Sequence, residues 1–501
     1  MPPSQRILRD HAKVIFQKYS DIRDKHDPVD DIIVRDKNEI QDYVYIHNTL
    51  LSSNKISHLA LYNCLDLFRE SSSFCFSNIT RNPLKFVLNY QNILSFEKAL
   101  EIIDSYELDT LEYDHQKMKL VFDAWIYDFL VHKNNVLFQS KFLVLKAFKT
   151  RMNMLYENIG KEETDVFLKG CHTYNNNKIE YITSNYIFEI ESEMTEMVSK
   201  LLSINPNSVN SKEFINNYEN TNDIKMTNQQ KNAIKMVLKN NFSIVCGFPG
   251  TGKTTISKCI CEYFKDECTF LLAPTGMAVN NLYTKCINDN NNNIVVATIH
   301  KMLFDIVYKV KQKPKLIIID EFSMVDTLMF YKILKWCKYY SCKLVCIADA
   351  EQLPPIAAGF PLYNLMQSTR IPVKHLTIIK RQESEVLKNI ILSFHQKNEV
   401  SLKHFDNKSM IFSNFSEKNI KNIISNMKCD ILNTKFITPQ HKSEEGTISL
   451  NNVLQNIYNP KSQRIPSLFK INYVFRINDL IIRNVNDYSN DSLYANGDLA
   501  Y

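Results

Sequence analysis

The positions of the glycines constrain the fold of this chain more than any other feature. The chain has nine glycines among 501 residues, although glycine makes up about 7% of average proteins. Three of them lie in one run, residues 247–255, which reads GFPGTGKTT. This run fits the phosphate-binding pattern of Gly, four residues and Gly-Lys-Thr, for which we estimate chance odds of roughly 0.002 in this composition. We infer that glycine persists mainly where the backbone approaches a ligand or turns sharply.

The glycine run assigns chemistry to individual residues, unless it is a coincidental glycine-rich turn. The apolar stretch Phe242–Cys246 predicts a strand leading into the loop, and a helix is predicted to begin near Lys253. Backbone N–H groups of the loop and helix would then point at phosphates. We expect Lys253 to reach the β- and γ-phosphates of ATP, and the Thr254 hydroxyl to ligate Mg²⁺. The predicted nucleotide-contacting residues are Gly247, Phe248, Pro249, Gly250, Thr251, Gly252, Lys253, Thr254 and Thr255.

An acidic pair follows a second apolar run. The four apolar residues Leu316–Ile319 suit a strand buried on both faces, and Asp320 and Glu321 come directly after it. We expect Asp320 to hold Mg²⁺, directly or through water. Glu321 is the natural general base for the attacking water. The alternative is that the pair caps the following helix, a role compatible with the first.

A third apolar run, Leu344–Ala348, continues into the sequence DAEQLPP. Gln352 in this segment is expected to contact the γ-phosphate and report hydrolysis, whereas the alternative is a plain strand-to-loop turn. Strands that alternate with helical stretches from residue 226 onward predict a doubly wound parallel α/β sheet. The predicted strands are Phe242–Cys246, Thr269–Ala273, Ile294–Ala297, Leu316–Asp320 and Leu344–Ala348.

Length and patterning divide the chain into segments. A chain of 501 residues is long for one core, so two to four domains are expected. Residues 1–39 form a charged, weakly patterned arm, and residues 40–204 carry the apolar spacing of a mostly helical region. The polar, asparagine-rich residues 205–225 predict a linker. Residues 226–384 then carry the P-loop pattern.

Bulk properties predict an intracellular protein. The net charge of +6 is mild and says little about nucleic acid by itself. The sequence has no apolar run of about 18 residues that predicts a membrane span, and its N-terminus does not read as a secretory signal. The twelve cysteines lack metal-ligand spacing, so buried free thiols in a reducing compartment are expected. The expected location is the cytoplasm or nucleus, or a host cell for a viral protein.

Taken together, these motifs resemble superfamily 1 helicases, specifically the RecD-like 5′→3′ branch. The matching segments are Met226–Gln230 (Q motif), Leu272–Ala278 (motif Ia), Thr298–Leu303 (the Thr-x-His segment), Asp320–Asp326 (motif II), Asp349–Pro354 (motif III) and Lys380–Gln382 (motif IV). Motif III departs mildly from the family pattern, because Ala348 stands where glycine is usual. The resemblance implies an ATP-dependent DNA helicase with a RecA-like motor domain that uses Mg²⁺.

The same resemblance implies roles for further residues. Gln230 would read adenine, and Arg381 would reach across to the nucleotide. Pro274, Thr275, His300 and Thr438 would contact single-stranded DNA. The implied partners are single-stranded DNA, duplex junctions and proteins of replication or recombination.

The resemblance is weaker outside the P-loop region. Residues 385–471 are similar to the start of a second RecA-like domain, and residues 472–501 to the start of a small β-barrel insert. Residues 79–104 look like a degenerate helix-hairpin-helix without its glycines. Motifs V and VI of the family are missing from the sequence. We therefore expect a fragment, a protein completed by another chain, or a truncated homologue.

Several alternatives stay open from the sequence alone. A motor-defective nucleotide- or DNA-binding homologue competes with the helicase. A P-loop transporter or signalling ATPase is a third class, but the sequence lacks a Leu-Ser-Gly-Gly-Gln signature. His300 could be a satisfied interior histidine. A run of lysines at every second position would either line a DNA-binding groove or lie on a solvated edge strand. These lysines are Lys309, Lys311, Lys313 and Lys315.

Overall fold

The computed structural model describes most of the chain from residue 94 to residue 460. The described ranges are 94–105, 115–156, 159–176, 179–204, 210–286, 293–303, 313–380, 416–427, 436–443 and 445–460, with isolated positions elsewhere between 83 and 500. The predicted charged arm, residues 1–39, lies outside them. The chain forms two compact units. The first comprises Met1–Pro274, Ala278–Ile378 and Tyr488–Ser492, and the second comprises Thr275–Met277, Ile379–Asp487 and Leu493–Tyr501.

The described N-terminal region contains five α-helices and a small antiparallel sheet. The helices are α1 (Phe96–Ser105), α2 (His115–Tyr127), α3 (Lys141–Met152), α4 (Lys161–Lys169) and α5 (Asn185–Ser203). The strands β1 (Gln139–Ser140), β2 (Cys171–Asn176) and β3 (Ile179–Ser184) pair antiparallel in the order β1-β3-β2. The mostly helical prediction is confirmed. The sequence did not predict the hairpin, because the run CHTYNN of β2 is polar and lacks apolar alternation.

Aromatic packing forms the core of this N-terminal region. The rings of Phe148 and Phe167 stack with centroids 4.0 Å apart, and Trp125 meets Phe148 edge-on at 5.5 Å. The long helix α5 joins this core to the next one. Ile187 near its start is buried in the aromatic core, whereas Leu201 near its end packs against the central sheet.

Part of the predicted linker is helical. Residues 205–225 were expected to be a polar connection, but α6 occupies Ser211–Thr221. Its Ile215 and Tyr218 are buried, at 1% and 5% exposure. The linker prediction is therefore wrong for α6. Two apolar side chains three residues apart anchor a helix that is otherwise polar. The average composition of residues 205–225 does not reveal these two anchors.

A six-stranded parallel sheet follows, and it is the centre of the first unit. Its strands are β4 (Phe242–Gly247), β5 (Thr269–Ala273), β6 (Ile294–Thr298), β7 (Leu316–Ile319), β8 (Lys343–Ala348) and β9 (Val373–Leu376). Their order is β6-β5-β7-β8-β4-β9, with all neighbours parallel. Five strands coincide with the predicted apolar runs, which confirms the doubly wound α/β fold. The sequence analysis did not predict the short β9.

Helices cover both faces of this sheet. They are α7 (Asn228–Lys239), α8 (Lys253–Tyr263), α9 (Gly276–Cys286), α10 (Thr327–Tyr340) and α11 (Pro361–Met366). Side chains of β4 alternate between two cores: Ile244 packs with α10 and the end of α5, whereas Val245 packs with α6, α7 and α8. All six residues of β4 and of β8 are buried. The continuous apolar runs of the sequence thus reflect a sheet that is covered on both sides.

The second unit contains two well-described helices. They are α12 (Glu417–Met427) and α13 (Thr447–Tyr458), and a short antiparallel pair joins β10 (Ile481–Ile482) to β11 (Leu499–Ala500). The carboxylate of Asp479 accepts hydrogen bonds from the side chains of Gln455 and Asn459, which anchors the end of α13. The predicted boundaries of a second RecA-like domain and a barrel insert remain predictions. Among the helices described in either unit, none is both long and apolar enough to cross a membrane.

Candidate nucleotide-binding site

The glycine loop connects β4 to α8, as the sequence predicted. Gly250 and Gly252 have positive φ angles of 81° and 86°, which side chains with a Cβ rarely adopt. A Cβ on Gly247 would lie 2.6 Å from Oγ1 of Thr251, so close packing also requires glycine there. The helix α8 begins at Lys253 with Gly252 as its N-cap. Backbone N–H groups at this N-terminus form the kind of cradle that binds phosphate.

The side chains of the loop bond to the loop itself. The ammonium group of Lys253 donates to the carbonyl oxygens of Gly247, at 2.5 Å, and Phe248, at 3.4 Å. The hydroxyl of Thr251 also donates to the Phe248 carbonyl, at 2.8 Å. Thr254 and Thr255 are half-buried in the first turn of α8. The cation and hydroxyls expected to meet a triphosphate therefore lie on one short segment.

Strand register brings the acidic pair to the same edge of the sheet as the loop. Strand β8 pairs with β4 through Cys246 and Ala348, and with β7 through Ile319 and Cys346. The carboxyl ends of all three strands lie at the same edge, with Ile319 level with Ile244, and Asp320 and Glu321 continue from there toward the end of β4. One strand separates β4 from β7, and neighbouring strands lie about 4.8 Å apart, so the two ends are separated by about 10 Å.

The residue Glu321 has an unusual conformation. Its φ of 52° lies in the left-handed region, which is costly for a residue with a Cβ. Its Oε2 atom is buried and has no hydrogen-bond partner in the described part of the chain. The neighbouring Oδ1 of Asp320 accepts a bond from the Glu321 backbone N–H at 3.1 Å. Strain and an unpaired buried oxygen at one residue point to a functional constraint.

The structure does not support the alternative that the acidic pair caps the following helix. The next α-helix, α10, is capped by Asp326, whose Oδ1 accepts a hydrogen bond from the Met329 N–H at 2.9 Å. Glu321 precedes a three-residue 3₁₀ turn, Phe322–Met324, and its side chain makes no capping bond there. The carboxylate of Glu321 thus has no structural task at a helix start.

The segment after β8 joins the site through Gln352. Its Oε1 atom accepts a hydrogen bond from the hydroxyl of Ser323 at 3.3 Å. Ser323 is fully buried two residues beyond Glu321. The structure thus links the third predicted motif to the acidic segment.

The sequence analysis included Asp349 in the motif III segment without assigning it a role, and the structure places it directly after β8. Its side chain is 1% exposed, and its Oδ1 accepts a bond from the Glu351 N–H at 3.2 Å. Burial raises the pKa of the Cys246 thiol to about 12; the charge of Lys253 lowers that pKa and Asp349 raises it. Both charges therefore lie near the end of β4. A carboxylate at the carboxyl end of a buried strand was the signal that could have indicated this residue.

Gln230, the predicted adenine reader, lies beneath the loop. Its Oε1 accepts a bond from the Thr227 N–H at 2.8 Å, and its Nε2 donates to the Thr251 carbonyl at 3.0 Å. A Cβ on Gly252 would come within 2.1 Å of that Nε2. The side chain is thus a brace for the loop, and reading adenine would require it to exchange these bonds for bonds to the base.

The predicted DNA-contacting residues are divided between the two units, with Pro274 and His300 in the first and Thr275 and Thr438 in the second. Pro274 and Thr275 follow β5 directly. His300 follows β6 and is exposed as a whole residue. Partial burial of its ring lowers the pKa of the imidazole, and the nearby charge of Asp326 opposes this by raising it. In the second unit, Thr438 donates its hydroxyl to the Glu445 carbonyl at 2.6 Å.

Other sequence predictions fall partly outside the described residues. Three of the predicted residues, Arg381, Lys309 and Lys311, lie outside the described ranges. Lys313 and Lys315 are exposed and lead into β7, which is an interior strand of the sheet. For these two lysines, the predicted edge strand is therefore wrong.

The parallel sheet, the glycine loop and the acidic strand end define a P-loop nucleotide-binding domain with a doubly wound α/β fold. Residues 225–413 match the family model described as an AAA domain. Over 201 residues the chain is 32% identical to RecBCD enzyme subunit RecD of Buchnera aphidicola, covering 35% of this chain and 33% of that protein. It is 23% identical over 277 residues to the ATP-dependent RecD2 DNA helicase of Deinococcus radiodurans. That match covers 53% of this chain and 37% of the Deinococcus protein.

A solved structure of Pif1 helicase from Bacteroides, in complex with ADP-AlF3 and single-stranded DNA, has a TM-score of 0.37 and 18% identity, covering 55% of this chain and 69% of that one. The chain spans about a third of the length of the curated relatives it matches. In sequence, the P-loop region is thus similar to RecD proteins.

Proposed function

We propose that this chain is the ATP-hydrolysing motor part of a RecD-like DNA helicase. One observation carries the proposal: the glycine loop after β4 and the acidic pair after β7 lie at the same sheet edge, on strands separated only by β8. A phosphate-binding loop and a metal-binding carboxylate are thereby brought to one place. The sequence relationship to RecD-type helicases supports the choice of class.

The hydrolysis step follows from the residues at this edge. Lys253 and the N–H groups of the loop would hold the phosphates and offset the charge that develops on the γ-phosphoryl group. Thr254 and Asp320 offer hard oxygen ligands for Mg²⁺, which would neutralise charge on the phosphate oxygens. Glu321, with its unpaired buried oxygen, would take a proton from the attacking water. Gln352 would sense the γ-phosphate, and Arg381 would stabilise the transferring group.

The DNA part of the proposal rests on the resemblance. Pro274, Thr275 and His300 would contact the strand from the first motor domain, and Thr438 from the second, which would begin within residues 385–471. Opening and closing between the two domains would then move the strand, in the 5′→3′ direction by resemblance. A small barrel insert at residues 472–501, a role at duplex junctions and partners in replication or recombination are further parts of this proposal.

ATP hydrolysis by the full 501-residue chain tests the site assignment. Lys253→Ala should lower turnover at least about 100-fold, because a preorganised charge at the transferring group is lost. Lys258→Ala on the same helix, outside the loop, is the matched control and should keep normal turnover. Circular dichroism should show that both variants are folded. Normal hydrolysis by folded Lys253→Ala would remove the assignment.

Two further measurements separate a motor from a nucleotide-binding homologue. Oligothymidylate should raise the ATPase rate, and duplexes with a 5′ single-stranded tail should be displaced in preference to those with a 3′ tail. An ATPase rate that ignores DNA would argue for another P-loop class. Stimulation by DNA without strand displacement would favour the motor-defective alternative for this chain.

A further inference from the structure

The N-terminal region presents a cluster of aromatic rings on its small sheet that the nucleotide site does not use. We call it the aromatic face; its members are Phe138, His172, Tyr174, Tyr181 and Phe188. Phe138 lies 5.3 Å from Tyr174 and 5.6 Å from Tyr181 between ring centroids, and the rings of His172 and Phe188 stack at 3.7 Å.

Strand register explains why these rings share one side. Residue Tyr174 of β2 lies opposite Tyr181 of β3, and His172 lies opposite Thr183. Because side chains alternate along a strand, these residues point to one side of the sheet and Ile182 to the other. Ile182 is fully buried in the aromatic core, whereas Phe138 is 49% exposed and Phe188 is 44% exposed. One side of the sheet therefore packs inward, and the aromatic face is open.

The adjacent sheet edge is also open. Strand β2 pairs with β3 on one side and is the last strand in the described order β1-β3-β2. Its final four residues, Thr173–Asn176, are exposed. The sequence CHTYNN contains no lysine or proline, the residues with which proteins commonly protect such edges. An edge of this kind can accept a further strand through backbone hydrogen bonds.

The described charged residues beside the aromatic face include two carboxylates, those of Glu189 and Glu191. Burial raises the pKa of the Tyr174 hydroxyl and the charge of Glu191 raises it further, which puts that carboxylate beside the face. Glu189, next to Phe188, is exposed. The ammonium group of Lys141 is already paired with Glu180 at 2.9 Å, and Glu180 points to the other side of the sheet. Single-stranded nucleic acid needs cations beside its stacking rings, so these carboxylates favour a basic protein segment.

We propose that β2 and the aromatic face form a docking site for an extended, basic segment of a partner protein. The segment adds as a fourth strand next to β2. On the side of the aromatic face, the segment places apolar side chains beside His172 and Tyr174 of β2 and basic side chains near Glu189 and Glu191. This site is independent of ATP hydrolysis, so its failure and that of the motor proposal are separate results.

Synthetic peptides provide the probe. A labelled, end-capped peptide in which every second residue is valine and lysine in turn, with threonine between them, is titrated with the full chain by fluorescence anisotropy, beside a matched valine-glutamate peptide and oligothymidylate. The valine-lysine peptide should bind with a Kd on the order of 10–100 μM. Hydrogen exchange should show that the outward-facing backbone amides of β2, which do not bond to β3, become protected only when this peptide is added.

Substitutions assign the binding to the aromatic face. Tyr174→Ala should weaken binding at least about tenfold, because a central aromatic contact is lost. Glu191→Lys should weaken the lysine peptide and improve the glutamate peptide. Tyr339→Ala removes an aromatic ring that is 79% exposed on α10, and this control should leave binding unchanged.

Four outcomes would overturn the proposal. The first is that the lysine peptide does not bind at roughly 1 mM. The second is equal binding of the glutamate peptide. The third is oligothymidylate binding that depends on Tyr174, which would assign the face to nucleic acid. The fourth is full protection of β2 without peptide, which would mean that another part of this chain already covers the edge.

Discussion

The hydroxyl of Ser323 donates a hydrogen bond to the side-chain oxygen of Gln352 across 3.3 Å. This bond joins the segment after β7 to the segment after β8, which are separate in sequence. Because Ser323 is fully buried, this bond fixes the orientation of the Gln352 side-chain amide. Any movement of Gln352 that accompanies loss of the γ-phosphate would therefore be transmitted through Ser323 to the segment that contains Asp320 and Glu321.

We predict that Gln352 and Ser323 act as one unit. Gln352→Ala should lower the rate of ATP hydrolysis about 100-fold, the effect typical of a lost polar contact in a transition state. Ser323→Ala should lower it about fivefold, because about 1 kcal/mol of positioning is lost. In the double variant the rate should equal that of Gln352→Ala alone, since the serine acts through the glutamine. Independent, multiplying effects in steady-state kinetics would contradict the coupling.

A second prediction separates activity from stability at Glu321. Glu321→Gln should lower hydrolysis by about 10²–10⁴ while nucleotide binding persists. Glu321→Gly should be equally inactive, yet its free energy of unfolding should rise by about 1 kcal/mol, because glycine accepts a φ of 52° without strain.

Glu196→Gly is the control for the stability part of this prediction. Glu196 is exposed in the interior of α5, so the same exchange should lower stability by up to about 1 kcal/mol. Urea denaturation measures both variants. If Glu321→Gly loses as much stability as Glu196→Gly, the strain has no energetic consequence.

The brace formed by Gln230 yields a third prediction. Gln230→Ala removes a buried amide that makes two hydrogen bonds, so the free energy of unfolding should fall by about 2 kcal/mol. Since the amide supports the loop, binding of ATP and GTP should weaken by the same factor. Calorimetric titration with both nucleotides tests this expectation. If ATP weakens much more than GTP, Gln230 reads adenine, as its resemblance to the Q motif implies.

A fourth prediction concerns alkaline pH. Burial raises the pKa of the Cys259 thiol from its usual 9.0 to about 12, and the nearby Glu262 and Glu219 act in the same direction. The unfolded chain therefore loses this proton above about pH 9 while the folded chain retains it, so stability falls as pH rises. By pH 10 this thiol alone should cost about 1 kcal/mol.

Cys259→Ala should remove that part of the pH dependence. Ser257→Ala, two residues earlier on α8, changes a buried side chain that does not titrate, and it should shift stability without altering the slope. Urea denaturation at pH 8, 9 and 10 compares the three proteins. Identical slopes for all three would show that the thiol does not contribute.

The buried strands and the loop were predictable because each has a local signal. The run Leu316–Ile319 is apolar throughout, which requires cover on both faces, and Gly250 and Gly252 stand where φ is positive. The polar run of β2 and the sparse anchors of α6 have no comparable signal. Their structure depends on β3 and on the core that Ile215 meets, neither of which lies within the local sequence.

The sequence by itself predicted which residues would hold a triphosphate, since backbone conformation, strand burial and side-chain chemistry at residues 247–255 and 320–321 are local properties. Only the tertiary structure decided that β8 lies between β4 and β7, that Gln230 supports the loop and that an aromatic face opens beside β2. Strand order and the choice of a buried partner arise from contacts between residues far apart in the chain. No local pattern encodes the free energy of those contacts.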